Sequence, residues 1–178
     1  MEKIKTPFFV CNPKSYLYGK ENLDLALAAD KLAIKYDIEI FYTSTFTDLH
    51  MINKRTDNII LTAQHMDSLN PGKGMGKILP ESLKNVGVEA VFLNHAENKL
   101  KLNKLTKTLT RAKELDIISI VCADGEKEAT AIAQLAPNIL LYEPPELIES
   151  KITGNDKYII EIKNKIKKIN NNILVMYG

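Results

Sequence analysis

Short apolar runs alternate with amphipathic segments along the whole chain. The runs, each bounded by turn or polar residues, are Pro7–Cys11, Ile38–Tyr42, Ile59–Ala63, Val88–Leu93, Ile117–Cys122, Ile139–Tyr142 and Ile173–Tyr177. Most of them are continuously apolar and do not alternate with polar residues, which is typical of strands that are buried on both faces. The pattern therefore predicts seven strands of a parallel sheet.

Apolar residues at helical spacing fill the segments between these runs. The four clearest stripes are Leu25, Ala29, Leu32 and Tyr36; Leu102, Leu105, Leu109 and Ala112; Ala129, Ile132, Ala133 and Ala136; and Ile159, Ile162, Ile166 and Ile169. Pro80 begins a shorter predicted helix, because a proline at the first helical position leaves no extra backbone group unpaired. Strand and helix alternate six times before a final strand, which predicts one α/β domain, 1–178, with right-handed crossovers.

Two architectures share this order of elements: a doubly wound open sheet and a (β/α) barrel. A nucleotide-binding open sheet favours a glycine-rich turn after the first strand, but that turn is Cys11-Asn12-Pro13-Lys14-Ser15. The glycine cluster Gly72–Gly76 matches neither phosphate-loop spacing and is typical of a flexible loop. The barrel is therefore the favoured architecture.

Composition excludes several classes of function. The chain has 178 residues, 45% of them hydrophobic, and a net charge of +2, so it offers no general attraction to nucleic acid or to an anionic membrane. The lysines between Lys163 and Lys168 are expected on the solvent side of the last helix. Two cysteines are too few for a disulfide framework and lack metal-ligand spacing. With no secretory signal and no long apolar run, we expect a cytoplasmic protein. We also expect that it binds neither a metal nor a cofactor.

Five polar residues stand where a barrel carries its chemistry, just past the carboxyl ends of the strands. Asn12 and Lys14 follow the first strand, His95 and Glu97 follow the fourth, and Glu143 follows the sixth. Taken singly each has an ordinary structural explanation: a turn, a buried histidine, or a glutamate that ends a strand before proline. Together they predict an active site, because all five fall on the same rim.

These residues lie in motifs that resemble those of the triosephosphate isomerase family. The matching stretches are Asn12-Pro13-Lys14, Leu93–Asn98 and Tyr142–Ile148, the last in the short archaeal-type form, together with Ala63–Asp67 and Leu79–Gly87. The resemblance runs in order from the first residues to Gly178. It implies a TIM barrel and a small-molecule substrate, a triose phosphate.

The resemblance also implies a reaction and a role for each residue. The reaction interconverts dihydroxyacetone phosphate and glyceraldehyde 3-phosphate through an enediolate, a step of glycolysis and gluconeogenesis. In that reaction Glu143 moves the proton between carbons and His95, as a neutral imidazole, polarises the carbonyl. Lys14 places a positive charge beside the enediolate, Asn12 binds the substrate, and Glu97 is the anionic partner of Lys14. His50 and His65 are expected to be structural.

The sequence departs from the family pattern at the residue after His95 and in the lid. Ala96 stands where the family has serine, so a hydrogen-bonding group is missing. The family's lid ends in Ile-Gly-Thr-Gly, and direct alignment places Ile148-Glu149-Ser150-Lys151 there, with a carboxylate where phosphate should bind. An alternative alignment uses Thr153-Gly154 at the cost of an insertion.

The end of the chain is the largest departure. Met176-Tyr177-Gly178 resembles the start of the family's Tyr-Gly-Gly-Ser loop, which makes Gly178 a predicted substrate-binding residue. An eighth strand is not present in the sequence, so we expect a C-terminally incomplete barrel of about seven strands and six helices. The chain would then be a fragment, a degenerate relative or one part of an assembly, and we expect it to lack full activity alone.

The same residues bear on two alternative functions and on the assembly of the protein. One alternative is an inactive or subunit-like barrel remnant that binds a partner chain through its open edge. An aldolase is disfavoured, because no predicted strand contains the lysine that a Schiff base needs. The family's third loop, matching Asn70–Lys77, reaches into a neighbouring subunit. A homo-oligomer or a complementing chain is therefore expected, although Met75 and Lys77 replace the usual threonine and glutamate.

Overall fold

The computed structural model describes residues 4–144 and 156–177. In chain order their elements are β1 (Phe8–Cys11), α1 (Gly19–Tyr36), β2 (Glu39–Ser44), α2 (Leu49–Asn53), β3 (Ile60–Ala63), α3 (Pro80–Asn85), β4 (Ala90–Leu93), α4 (Leu102–Glu114), β5 (Ile118–Ala123), α5 (Glu126–Ala133), β6 (Ile139–Tyr142), α6 (Asp156–Ile169) and β7 (Leu174–Tyr177). The seven predicted strands and the α/β order are confirmed. The sequence pattern did not place α2, because five residues are too few to show a helical period.

The described residues fall into two compact units: those of Met1–Val91 with Arg111–Ile117, and those of Phe92–Thr110 with Ile118–Gly178. In the first unit β1, β2, β3 and β4 pair in chain order and in parallel, with Val10 opposite Phe41 and Ala63 opposite Val91. Helix α1 buries Ala26, Ala29 and Ala33. These small side chains let the helix pack closely against the sheet.

In the second unit β5, β6 and β7 also pair in parallel, with Tyr142 opposite Tyr177. The two tyrosine rings meet edge to face with their centroids 6.3 Å apart, and the Tyr177 hydroxyl donates to the Ile159 carbonyl at 2.8 Å. Ile132 of α5 and Ile166 of α6 complete the core of this unit. Consecutive parallel strands place their carboxyl ends on the same edge, so the loops after them can carry one site.

None of the seven described strands contains a lysine. Among the described helices, none is both long enough and apolar enough to cross a membrane.

A buried polar network fixes the start of α1 in the first unit. Asn22 is fully buried and donates its amide to Ser44 Oγ at 2.8 Å and to Asp48 Oδ2 at 2.9 Å, while it accepts the Tyr42 hydroxyl at 2.7 Å. Asp48 Oδ2 also accepts the Gly19 backbone N–H at 2.7 Å, so this carboxylate caps α1 where Tyr18 offers no side-chain cap. Burial, with the nearby Cys11 and Asp48, raises the pKa of Tyr42, which remains a neutral donor.

A second polar group, here called the Glu128 cluster, joins two loops of the second unit. It consists of Asn94 after β4, Lys99, Asp124 after β5, and Glu128 in the first turn of α5. Glu128 accepts the Asn94 amide at 2.9 Å and the Asp124 backbone N–H at 2.8 Å. Lys99 Nζ lies 2.7 Å from Asp124 Oδ2 and 3.0 Å from Glu128 Oε2.

The cluster shifts the pKa values of its members in opposite directions. Burial alone would raise the pKa of Glu128, but the donors Asp124, Asn94 and Lys99 outweigh it and the net pKa is lowered. Burial opposes the charge of Lys99, yet the bonds to Asp124 and Glu128 leave its pKa raised. Both shifts favour the ionised pair.

Replacing Asn22 with alanine tests the buried network. Asn22→Ala leaves the Asp48 carboxylate and the Tyr42 hydroxyl each short of a partner, so the free energy of unfolding should fall by about 1–3 kcal/mol in urea denaturation. Asp24→Asn is the control, because its ion pair with Lys20 is exposed and should change stability by less than about 0.5 kcal/mol. The network would have no stabilising role if both variants unfold at the same urea concentration.

The Glu128 cluster predicts a loss of stability in acid. Because the folded pKa of Glu128 lies below its ordinary value of 4.5, the unfolded chain binds the proton more readily. The stabilisation that ionised Glu128 contributes is therefore complete above pH 4.5, and it is lost as the pH falls through the pKa of Glu128 in the folded protein. Glu128→Gln should make the acid side of the stability–pH curve shallower in urea titrations.

Glu126→Gln is the matched control for this titration, since it makes the same chemical change in the same helical turn. Glu126 pairs with Lys165 at an exposed position, where an ion pair contributes little. An equal change of slope in both variants would contradict the role given to the cluster.

Candidate active site

The loop after β1 holds Lys14 in a left-handed backbone conformation. Its φ is 51°, which costs a residue with a side chain about 1–2 kcal/mol. Asn12 Oδ1 accepts the Lys14 backbone N–H at 3.0 Å, and Gln64 Nε2 donates to the Lys14 carbonyl at 2.8 Å. Both backbone polar groups of Lys14 are thus held by side-chain amides. Strain that the surroundings enforce in this way is typical of functional positions.

The loop after β4 is held by Asn94 in a similar manner. Asn94 is only 3% exposed and has a φ of 58°, and its Nδ2 donates to the Cys122 carbonyl at 3.0 Å as well as to Glu128. Its Oδ1 accepts the Leu100 backbone N–H at 3.0 Å, which closes the loop that contains His95. The side chain of Asn94 therefore fixes both ends of this loop.

His95 is half-buried, and its ring is oriented by the backbone that follows. The Glu97 backbone N–H donates to His95 Nδ1 at 3.2 Å, and the Asn98 N–H donates to the His95 carbonyl at 2.8 Å. A short turn therefore follows His95. An imidazole whose Nδ1 accepts an N–H carries its proton on Nε2, so the ring is neutral and presents Nε2–H as a donor.

Glu143 directly follows β6. Its backbone N–H donates to the Ala123 carbonyl at 3.0 Å, which extends the β5–β6 pairing by one residue and fixes where the side chain leaves the sheet. Burial first, and then the charge of Glu143, raise the pKa of Cys122. Cys122 is therefore a neutral buried thiol near Glu143.

The structure distributes the predicted residues over the two units. Asn12 and Lys14 lie in the first unit, whereas His95, Glu97 and Glu143 lie in the second, where they follow the carboxyl ends of β4 and β6. The pairing of Lys14 with Glu97 stays a prediction.

Some of the predicted positions fall outside the described residues. They are Gly178, Glu149 and the two alternative lid ends, Ile148–Lys151 and Thr153-Gly154.

Of the other two histidines, His65 also follows a strand and His50 does not. His50 is exposed on α2, away from any strand end. His65 follows β3, and burial lowers its pKa, with Lys77 adding to the effect and Asp67 opposing it. Within the described residues, no group of three or more His, Cys, Asp or Glu side chains could hold a metal ion.

Sequence reasoning missed the residues that hold the loops. Asn94 and Gln64 stood inside quoted motifs but were given no role, although a buried amide beside a turn can restrain a backbone. The sequence did not mark Glu128 as important, because acidic residues are common in the first turn of a helix, where they interact favourably with the helix dipole. Only the tertiary contacts reveal its three donors.

Comparison with known proteins identifies the family. The family model described as Triosephosphate isomerase matches residues 7–178. The triosephosphate isomerase of Sulfurisphaera tokodaii is 33% identical over 171 residues, which cover 93% of this chain and 74% of that protein. The triosephosphate isomerase of Sulfolobus acidocaldarius is 34% identical over 151 residues, which cover 84% of this chain and 65% of that protein. The triosephosphate isomerase of Methanocaldococcus jannaschii is 33% identical over 174 residues, which cover 95% of this chain and 79% of that protein.

The order of seven strands and six helices in the described residues is that of a (β/α) barrel with seven of its eight strands. The match of the family model over nearly the whole chain, together with this order, shows that the chain belongs to the triosephosphate isomerase family.

Proposed function

We propose that this chain is an intramolecular oxidoreductase that interconverts dihydroxyacetone phosphate and glyceraldehyde 3-phosphate without a cofactor. The observation that carries the proposal is the hydrogen bond from the Glu97 backbone to His95 Nδ1, which leaves a neutral imidazole with a donor at Nε2. The same unit carries a carboxylate, Glu143, directly after β6, whereas His95 follows β4. An acid–base pair of this kind suits proton abstraction next to a carbonyl.

In the proposed reaction Glu143 removes a proton from C1 of dihydroxyacetone phosphate. The electron pair of the broken C–H bond forms a C=C bond, and the carbonyl π electrons move onto oxygen to give the enediolate. His95 Nε2–H stabilises this developing charge as a hydrogen-bond donor. Glu143 then returns a proton to C2, while the proton of the C1 hydroxyl is transferred to the C2 oxygen and C1 becomes the aldehyde carbon. The substrate alone is thus both oxidised and reduced, and no external electron carrier is needed.

The remaining predicted residues have supporting roles in this proposal. Lys14 supplies a fixed positive charge for the enediolate and the phosphate, and Asn12 binds the substrate while holding the backbone of Lys14. Glu97 is proposed as the anionic partner of Lys14. Gly178 is proposed to bind the substrate phosphate through its backbone.

We also propose that the protein acts in the cytoplasm and assembles with further copies of itself or with a complementing chain. Met75 in the loop after β3 is fully exposed, as are large parts of Tyr16 and Tyr18. Apolar side chains of this size on one unit favour burial against another chain.

Isotope exchange tests the reaction directly. When the purified chain converts dihydroxyacetone phosphate in D2O, the product should carry deuterium at C2, because the carboxyl group of Glu143 exchanges its proton with solvent. A hydride shift would leave that carbon unlabelled. Product without deuterium, or no conversion at any chain concentration, would overturn the proposed function.

The two proposed acid–base residues can be removed separately. His95→Gln and Glu143→Gln should each lower kcat by about 10²–10⁴-fold, the range for loss of a general acid or base. The matched controls are His50→Gln and Glu21→Gln, which make the same changes at exposed helical positions and should keep the wild-type rate. Steady-state kinetics of all four variants would refute the assignment if the site and control variants behave alike.

The conformation of Lys14 predicts opposite effects on stability and activity. Lys14→Gly relieves the left-handed backbone and should raise the free energy of unfolding by about 1 kcal/mol while it lowers kcat, since the charge is lost. Lys14→Ala removes the charge and keeps the strain, so it should lose activity without gaining stability. Asp37→Gly, at an exposed residue with a φ of 52°, should gain stability and keep its activity.

Urea denaturation and initial rates on these three variants check the prediction. Equal stability of Lys14→Gly and Lys14→Ala would show that the backbone conformation of Lys14 stores no strain.

A further inference from the structure

We infer that Glu128 is a positioning residue for His95 and that it acts through the side chain of Asn94. The inference rests on the proposed function for its effect on turnover. Its structural basis lies entirely in contacts within the second unit.

Asn94 is joined directly to His95, so its conformation affects the position of His95. Asn94 immediately precedes His95, is buried, and holds a φ of 58° that most residues avoid. Its side chain uses both amide protons, toward the Cys122 carbonyl and Glu128 Oε1, and its oxygen accepts the Leu100 N–H. A side chain held at three points has one orientation, and it fixes the peptide from which His95 departs.

Cys122 and Glu128 accept the two amide protons of Asn94. The Cys122 carbonyl belongs to strand β5 and cannot move, but Glu128 is a side chain that must itself be held. It is held by the Asp124 backbone N–H at 2.8 Å and by Lys99 Nζ at 3.0 Å. Without the Glu128 carboxylate, one Asn94 amide proton is buried without an acceptor, which disfavours the present orientation.

The loop that contains His95 also holds the His95 ring. The residue after His95 is Ala96, which has no hydrogen-bonding side chain. The ring itself is held through Nδ1 by the Glu97 backbone, which lies in the loop that Asn94 closes. A shift of this loop therefore changes both the direction of the His95 ring and the bond that sets its tautomer.

The kinetic test compares two glutamates in the same turn of α5. Glu128→Ala should lower kcat by about 10–100-fold, the cost of a small misplacement of a reacting group, and leave KM within about threefold. Glu128→Gln keeps an acceptor oxygen and should give an intermediate loss. Glu126→Ala removes an exposed carboxylate that contacts Lys165 and should keep the wild-type kcat. Equal kcat values for Glu128→Ala and the wild type would overturn the inference.

Nuclear magnetic resonance of the imidazole separates this inference from the proposed function. Long-range ¹⁵N–¹H correlation should show His95 as the Nε2–H tautomer in the wild type, with the signal assigned by its loss in His95→Gln. Glu128→Ala should shift the His95 nitrogen signals toward a mixture of tautomers, whereas Glu126→Ala should not. If the wild type does not isomerise its substrate but these signals respond to Glu128, the proposed function fails and the positioning role stands. Unchanged signals in an active enzyme would overturn the positioning role.

A second variant tests the route through Asn94 and covers the case in which Glu128→Ala does not fold. Asn94→Gly keeps the left-handed backbone and removes the three side-chain bonds, so it should reproduce the His95 signal changes and the fall in kcat. In the double variant the two losses should not add, because both break the same restraint. Fully additive losses, or an Asn94→Gly enzyme with wild-type His95 signals, would contradict the proposed route.

Discussion

Side-chain amides hold two strand-end loops in left-handed backbone conformations, and the candidate chemistry depends on these hydrogen bonds. Lys14 is fixed through Asn12 and Gln64, and Asn94 fixes its own loop around His95. The Asn12 and Leu100 bonds lie within one loop, whereas the Gln64 bond joins the loop after β3 to the loop after β1. A loop backbone would otherwise relax toward favoured φ values, so the chemical groups would lose their directions.

Neutral amides suit this task better than charges. An amide carries a donor and an acceptor on one planar group, so it can hold two backbone positions at fixed separation. Its burial costs little once every polar atom is paired, as for Asn94, whereas a buried unpaired charge costs several kcal/mol. The charged residues Lys99 and Glu128 accordingly stay partly exposed, with about a third of each side chain accessible. Glu128 bonds the Asn94 amide directly, and Lys99 holds Glu128.

The fold was predictable from the sequence to a greater extent than the site. The apolar runs located all seven strands within about two residues, because each strand is largely apolar. Strands β3 to β6 are mostly buried, whereas β1 and β7 are only partly buried. The strand-end positions of His95 and Glu143 also followed from that pattern. The restraints did not, since Gln64, Asn94 and Glu128 act over long sequence separations, and their residue types have many other uses on a surface. Helix α2 was missed for a simpler reason, its length of five residues.

The restraint on His95 also explains how this loop can function with Ala96. A serine hydroxyl at that position could donate and accept hydrogen bonds, and with Ala96 the loop depends on contacts of other residues. Here the Glu97 N–H fixes the ring from within the loop, while Asn94 fixes the loop from the sheet side. The first bond sets which nitrogen carries the proton, and the second sets where that nitrogen points. A neutral imidazole in one tautomer and one direction requires both, so the loss of either bond would impair the proposed donor even with the His95 side chain intact.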